Sequence, residues 1–210
     1  MEDLKKNKKP ITLCIEPDPI LRKPTTPVDQ ITDDLLDLFD DMIKIMGQFD
    51  GIGLAGPQVG CLKKIIVIDA ETIAKEEGQT LPSKRYLKLI NPKILSVSKE
   101  LCVKEEGCLS VPTIYYEIER PKSVKISYTD ENGKNIELEA DGLLARCIEH
   151  EIDHLNGKLF IDYLSSLKKK LIINKLRKIK CDRCIYKGTK TSRSQNDFNK
   201  ITYTHHSRRT

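Results

Sequence analysis

Two histidines and a glutamate stand where a helix would gather them round one metal ion. His150-Glu151-Ile152-Asp153-His154 lies within a run from Asp141 to Gly157. Read as a helix, it sets His150 and His154 one turn apart on a single face, within reach of one ion. Glu151 follows the first ligand and is better placed to take a proton from an activated water than to bind metal itself. The chain has four histidines, and only these two precede residue 205, which argues against an incidental pair on an ordinary amphipathic helix. A site of this type needs a third protein ligand and an open position. In the pattern HExxHxxGxxH the last position here is Phe160, which cannot ligate. No glutamate follows Glu151. The third ligand should therefore lie upstream, and cysteine is the residue type to look for.

Cys108 has the most informative setting, Glu105-Glu-Gly-Cys-Leu-Ser-Val-Pro112. A glycine before it and a proline four after it predict a bent, extended segment from which a thiolate could face the helix. Cys14, Cys61, Cys102 and Cys147 sit in apolar runs and read as small buried hydrophobes.

The elements that must carry these residues can be read in order. Ile11 to Ile15 suits a strand, ended by Glu16-Pro-Asp-Pro19, and the prolines in Leu21–Pro27 hold that stretch extended. A helix starts at Thr32, with Leu35, Leu38, Phe39, Met42 and Met46 as its core-facing stripe. It runs into Gly51-Ile-Gly-Leu-Ala-Gly-Pro-Gln58, whose first six residues match GxGxxG. That pattern needs a strand before it and a helix after it. Here a helix precedes, and Pro57 and a strand over Cys61–Ile68 follow, so no nucleotide cofactor is expected. The glycines instead let backbone approach a ligand, with Gln58 at their end.

Residues 70–85 read as a polar excursion. Residues 87–90, 93–97, 124–128 and 136–139 are strand candidates, the last two joined by a hairpin at Asp130–Gly133. In the metal helix Asp141 is the expected N-cap, and Asn156-Gly157 suits a left-handed end. Several short antiparallel strands around one central metal helix make an α+β fold. Three parts are expected: a catalytic domain over 1–166, a basic helix over 167–180 and a basic, disordered tail over 181–210.

Charge divides the chain the same way. Residues 167–210 hold fourteen Lys and Arg against two Asp, and residues 1–166 hold twenty-two against twenty-nine Asp and Glu. The basic part suits a polyanion such as nucleic acid, or is a solvated face. No apolar run approaches membrane-spanning length. The amino terminus lacks a signal core, and seven cysteines without a regular framework suit a reducing cytosol. A cytoplasmic place is expected, with an organelle left open and no membrane partner.

Taken together, Gly51-Ile-Gly-Leu-Ala-Gly-Pro-Gln58, Glu106-Gly-Cys-Leu-Ser110 and His150-Glu-Ile-Asp-His154 resemble, in order and spacing, the three motifs of the peptide deformylases. The resemblance extends over roughly residues 10–175. It implies that family's α+β fold and the removal of the N-formyl group from nascent chains that begin with formyl-methionine. It implies Cys108, His150 and His154 as ligands of one divalent ion, Fe²⁺ by preference with Zn²⁺, Ni²⁺ or Co²⁺ able to replace it. It further implies Glu151 as acid and base, with Gln58 and the Leu109 N–H as donors to the developing oxyanion. Gly53 and Gly107 are candidates for a tight wall round the formyl group, and Ile52, Leu109, Leu143 and Cys147 for the methionine pocket. Family members act on emerging chains, so the basic helix is a candidate for contact with ribosomal RNA.

Three departures stand out: Gly56 where alanine is usual, Glu149 where glutamine is usual, and Arg146 where an apolar residue is usual. They raise a looser loop, an extra acid near the site and an altered pocket. Cys181, Cys184, His205 and His206 suggest a second zinc site only weakly, since their spacing is that of no known finger. Two other functions are weighed: a metallopeptidase cutting ordinary peptide bonds, and an inactive relative that binds the ribosome or RNA. The second has no need of Glu151.

Overall fold

Thr32 accepts a hydrogen bond from the Leu35 N–H and opens helix α1, Asp33–Gln48, with Asp33 and Asp34 in its first turn. In the computed structural model, which describes residues 11–80 and 83–186 with side chains to residue 178, α1 is followed by β1, Gly53–Ala55, and β2, Ile65–Asp69. Helix α2, Ala70–Glu77, leads to β3, Tyr86–Val97. Then come β4, Leu101–Cys108, β5, Val111–Pro121, β6, Ser123–Thr129, and β7, Asn135–Asp141. The chain closes with α3, Gly142–Leu155, and α4, Ser166–Tyr186.

Five strands form one antiparallel sheet in the order β1-β2-β3-β6-β7, and β4 and β5 pair as a separate hairpin. Every residue of β2 is buried because the sheet is covered on both faces. Ile65 and Val67 join Phe39, Met42 and Met46 of α1. Ile66 and Ile68 join Ala145, Ile148 and Ile152 of α3. The period-two alternation of a strand thus serves two helices at once. A third cluster packs Cys108, Val111 and Ile118 of the hairpin against Phe160 and against Ile172 and Leu176 of α4. The fold is the expected α+β arrangement around a central metal helix.

Several local expectations are corrected. Ile11–Ile15 is no strand: Cys14 N–H donates to Gln58 O, the following Glu16 N–H donates to Ser110 O, and among the described residues the stretch pairs with no strand. The strand expected from Cys61 begins only at Ile65, after Gly60 turns the chain at φ +82°. The excursion after residue 70 holds α2, capped by Asp69, which accepts from the Thr72 N–H, and ended by left-handed Gly78. The two strands expected near residue 90 are one, with register shifts inside it. The stretch around Cys108 belongs to a long hairpin that sequence patterning did not show. Helix α4 continues past residue 180; residues 187–210, where the tail and His205 and His206 lie, are outside the described residues. Among those described, no helix is long and apolar enough to cross a membrane.

The metal helix starts where expected, at Asp141, but the Asp141 side chain makes no capping bond. Glu77 of α2 accepts the Leu143 N–H instead, at 2.7 Å, supplying a carboxylate where the helix dipole favours one. Glu77→Ala should therefore cost about 1 kcal/mol of stability, read as a small drop in melting temperature with the fold intact.

Candidate metal centre

Two elements meet at the site. Helix α3 carries His150 and His154 on one face, and the end of β4 carries Cys108. Their ligating atoms all lie within 4.8 Å of one another and all three residues are buried. Cys108 Sγ is 3.2 Å from His154 Nε2. The imidazoles cross edge-on, 5.1 Å between centroids. The His150 Nδ1 is tied to Glu106 Oε2 at 3.1 Å, which leaves Nε2 for an ion and fixes the ring's orientation. Phe160, at the position of the missing third histidine, stacks on His150 at 6.2 Å. One thiolate and two imidazoles, converged in a buried place, fit a divalent transition ion.

Glu151 follows His150 on α3, and its carboxylate interacts electrostatically with the His150 ring. It is 3 % exposed and its Oε2 has no hydrogen-bond partner, while burial pushes its carboxyl up to about 7. Gly53 of β1 faces it so closely that a Cβ there would sit 2.6 Å from Glu151 Oε1 and 2.7 Å from Cys147 Sγ. Gln58 is 1 % exposed. Its Oε1 accepts the Ala55 N–H at 2.7 Å, which turns its Nε2 toward Cys108 Sγ at 3.6 Å and Ser110 Oγ at 3.3 Å. The side-chain amide is therefore oriented as a donor beside the thiol.

Of the other expected site residues, Ile52, Leu143 and Cys147 lie together: both apolar side chains pack against the cluster that holds Cys147, and the Cys147 thiol donates to Ile52 O at 3.7 Å. Leu109 sits between β4 and β5, and its side chain turns to the α1 cluster, where it fills the space over Gly51. Gly107 faces the Tyr115 ring, which a Cβ would meet at 2.4 Å.

Gly56 and Arg146 sit differently from expectation. Gly56 is tightly enclosed: a Cβ there would meet the carbonyls of Cys61 and Lys63 at 2.7 and 2.8 Å, so glycine lets backbone pack where alanine would need room. Arg146 does not reach into the pocket. Its guanidinium donates to Glu106 Oε1 at 2.6 Å, Cys102 O at 2.6 Å and Ile118 O at 3.0 Å. Glu149 is buried, with Oε2 unpartnered and its carboxyl pushed up to about 7 by burial.

Glu106 and Arg120 were missed from sequence. Glu106 is 6 % and Arg120 4 % exposed. Arg120 donates to both Glu106 oxygens, at 2.6 and 3.1 Å, and to Asp153 Oδ2 at 2.8 Å. A signal was present: in a strand, Glu106 falls on the side of Cys108, two residues on.

The sequence profile described as Polypeptide deformylase matches residues 10–170. A peptide deformylase of Rhizobium meliloti (strain 1021) is 48% identical over 183 residues, spanning 87% of this chain and 94% of that one. One from Microchaete diplosiphon is 47% identical over 162 residues, 77% of this chain and 83% of that one. Among solved structures, a peptide deformylase from Ehrlichia chaffeensis superposes with a TM-score of 0.76 at 36% identity, over 84% of this chain and 99% of that one. Another, from Synechococcus elongatus in complex with actinonin, gives 0.70 at 44% identity, over 82% and 89%.

Proposed function

Since the chain belongs to the polypeptide deformylase family, we propose that it hydrolyses the formyl group from N-terminal formyl-methionine of newly made chains, with Glu151 as the proton carrier. The observation that supports this most directly is the convergence of three buried ligand atoms on the helix that also carries a buried Glu151 with an unpartnered oxygen. When bound by Cys108, His150 and His154, a divalent ion (Fe²⁺ by preference, Zn²⁺, Ni²⁺ or Co²⁺ in its place) supplies Lewis acidity toward a water and the formyl carbonyl.

The chain's own groups do the rest. Glu151 accepts the proton of the attacking water and returns it to the departing amine, so that formate and a free N-terminus leave. Gln58 Nε2 and the Leu109 N–H donate to the oxygen on which charge develops. Gly53 and Gly107 wall the smallest acyl group, and Ile52, Leu143 and Cys147 line the methionine pocket beside it. Lys168, Lys170, Lys175, Arg177 and Lys178 stand exposed on α4 and suit ribosomal RNA phosphates by charge alone. The reaction belongs in the compartment where translation starts with formyl-methionine, and we place it in the cytosol.

The test is formate release from a formyl-Met-Ala-Ser peptide by protein purified anaerobically with Fe²⁺. Release with the peptide bonds left intact is expected. Cleavage of unblocked peptides without formate release would instead make the protein a metallopeptidase.

A further inference from the structure

The two elements that carry the ligands are joined by one carboxylate. Glu106 stands two residues before Cys108 on β4. Its Oε2 takes the His150 Nδ1 at 3.1 Å, and its Oε1 takes Arg146 of the metal helix at 2.6 Å. Arg120 of β5 holds both oxygens. Arg120 already neutralises Glu106 from within the hairpin. Arg120 also reaches α3, through Asp153 at 2.8 Å; Arg146 makes the opposite crossing, from α3 one turn before His150 into the hairpin, where it touches both strands.

There both of its terminal nitrogens are engaged. Besides Glu106, it donates to Cys102 O on β4 and to Ile118 O on β5, with its side chain 6 % exposed. A guanidinium can reach three such acceptors in one plane; an ammonium is a point charge with no such fork. Two charges also balance two, Arg120 and Arg146 against Glu106 and Asp153, within one bonded group.

We propose that Arg146 is a positioning residue for the metal centre, fixing the Glu106 carboxylate and, through it, the spacing of Cys108 on the hairpin from His150 on the helix. This rests on the metal reading of the site. Groups that orient ligands from behind typically change metal affinity 10- to 100-fold when removed. Arg146→Met keeps length and apolar bulk but removes every donor.

The experiment loads the full chain with Co²⁺ without oxygen and follows loss of the thiolate-to-cobalt absorption into excess chelator. Loss from Arg146→Met should be roughly 10- to 100-fold faster than from the wild type. Arg146→Lys, which keeps the charge without the fork and guards against a Met variant that fails to fold, should fall between them. Glu77→Ala, which loosens the start of the same helix without touching the cluster, should match the wild type. Equal rates for Arg146→Met and wild type would overturn the proposal, as would equal acceleration by Glu77→Ala. A Lys variant equal to wild type would overturn the bridging role in favour of charge alone. A wild type that takes up no Co²⁺ would fail the metal reading itself, and the proposal with it.

Discussion

Glu151→Ala should release formate about 10²- to 10⁴-fold more slowly than the wild type, the range that a positioned general acid and base contributes. The expectation rests on geometry before acidity. Glu151 is 3 % exposed, its Oε2 meets no partner, and it follows directly on His150, one of three converged ligand residues. In the metal-free protein burial lifts its carboxyl to about 7, and a bound cation would draw it down toward the base form that takes the proton. Removing it vacates no ligand position, so metal content should stay at the wild-type level. Gly53 faces the same carboxylate closely, which leaves the alanine variant a small cavity rather than a strained fold. Parallel assays of formate, metal content and melting temperature check this. A variant with more than about a tenth of wild-type activity would remove Glu151 from the reaction and leave some other group to carry the proton.

The second large effect concerns stability. Glu106→Ala should destabilise the protein by about 3–5 kcal/mol, the cost of breaking a buried ion pair from one side. It would leave Arg120 at 4 % and Arg146 at 5 % exposed, with Arg120 keeping Asp153 and Arg146 keeping only carbonyls. For a domain of this size that corresponds to a melting shift of about 6–20 °C. Acid should expose the same contribution in the metal-free protein. Burial alone would raise the Glu106 carboxyl, but hydrogen bonds from His150 and Arg120 more than offset it and hold the group at about 2. A carboxyl held below its ordinary 4.5 stabilises fully above that value and loses its contribution as pH falls toward 2. Glu106→Ala should flatten that acid limb. An unfolding midpoint within about 1 kcal/mol of wild type would mean that water reaches the two arginines and carries their charge.

Much of the site was legible because its parts are short and local. The His150–His154 spacing needs only a helix, and α3 starts at Gly142 and ends at Leu155, within the bounds that Asp141 and Asn156-Gly157 suggest. The stripe on α1 was likewise visible, with Ile45 the one buried residue it omitted. The hairpin that carries Cys108 was not. Along β4 both faces hold charges, since Lys104 and Glu105 stand exposed while Glu106 is buried, and in β5 the alternation of buried Ile114 and Ile118 with exposed Glu117 and Glu119 is broken by the buried charge of Arg120. Their inward charges make sense only once α3 brings Arg146 and His150 to them, a long-range fact that no local window contains. Helix α2 was hidden for a different reason: Asp69 is both the last residue of β2 and the cap of α2, and a strand end masks a helix start.

The close approach at Gly53 bears on how this site can change over generations. A side chain at residue 53 would meet Glu151 Oε1 and Cys147 Sγ together, so both must shift to admit it, and a shift at 151 would disturb the proposed proton carrier. A single substitution at that wall should therefore cost activity. A compound shaped to the contour of Gly53 and Glu151 would press on a surface with little freedom to drift, and resistance would have to arise at residues farther out.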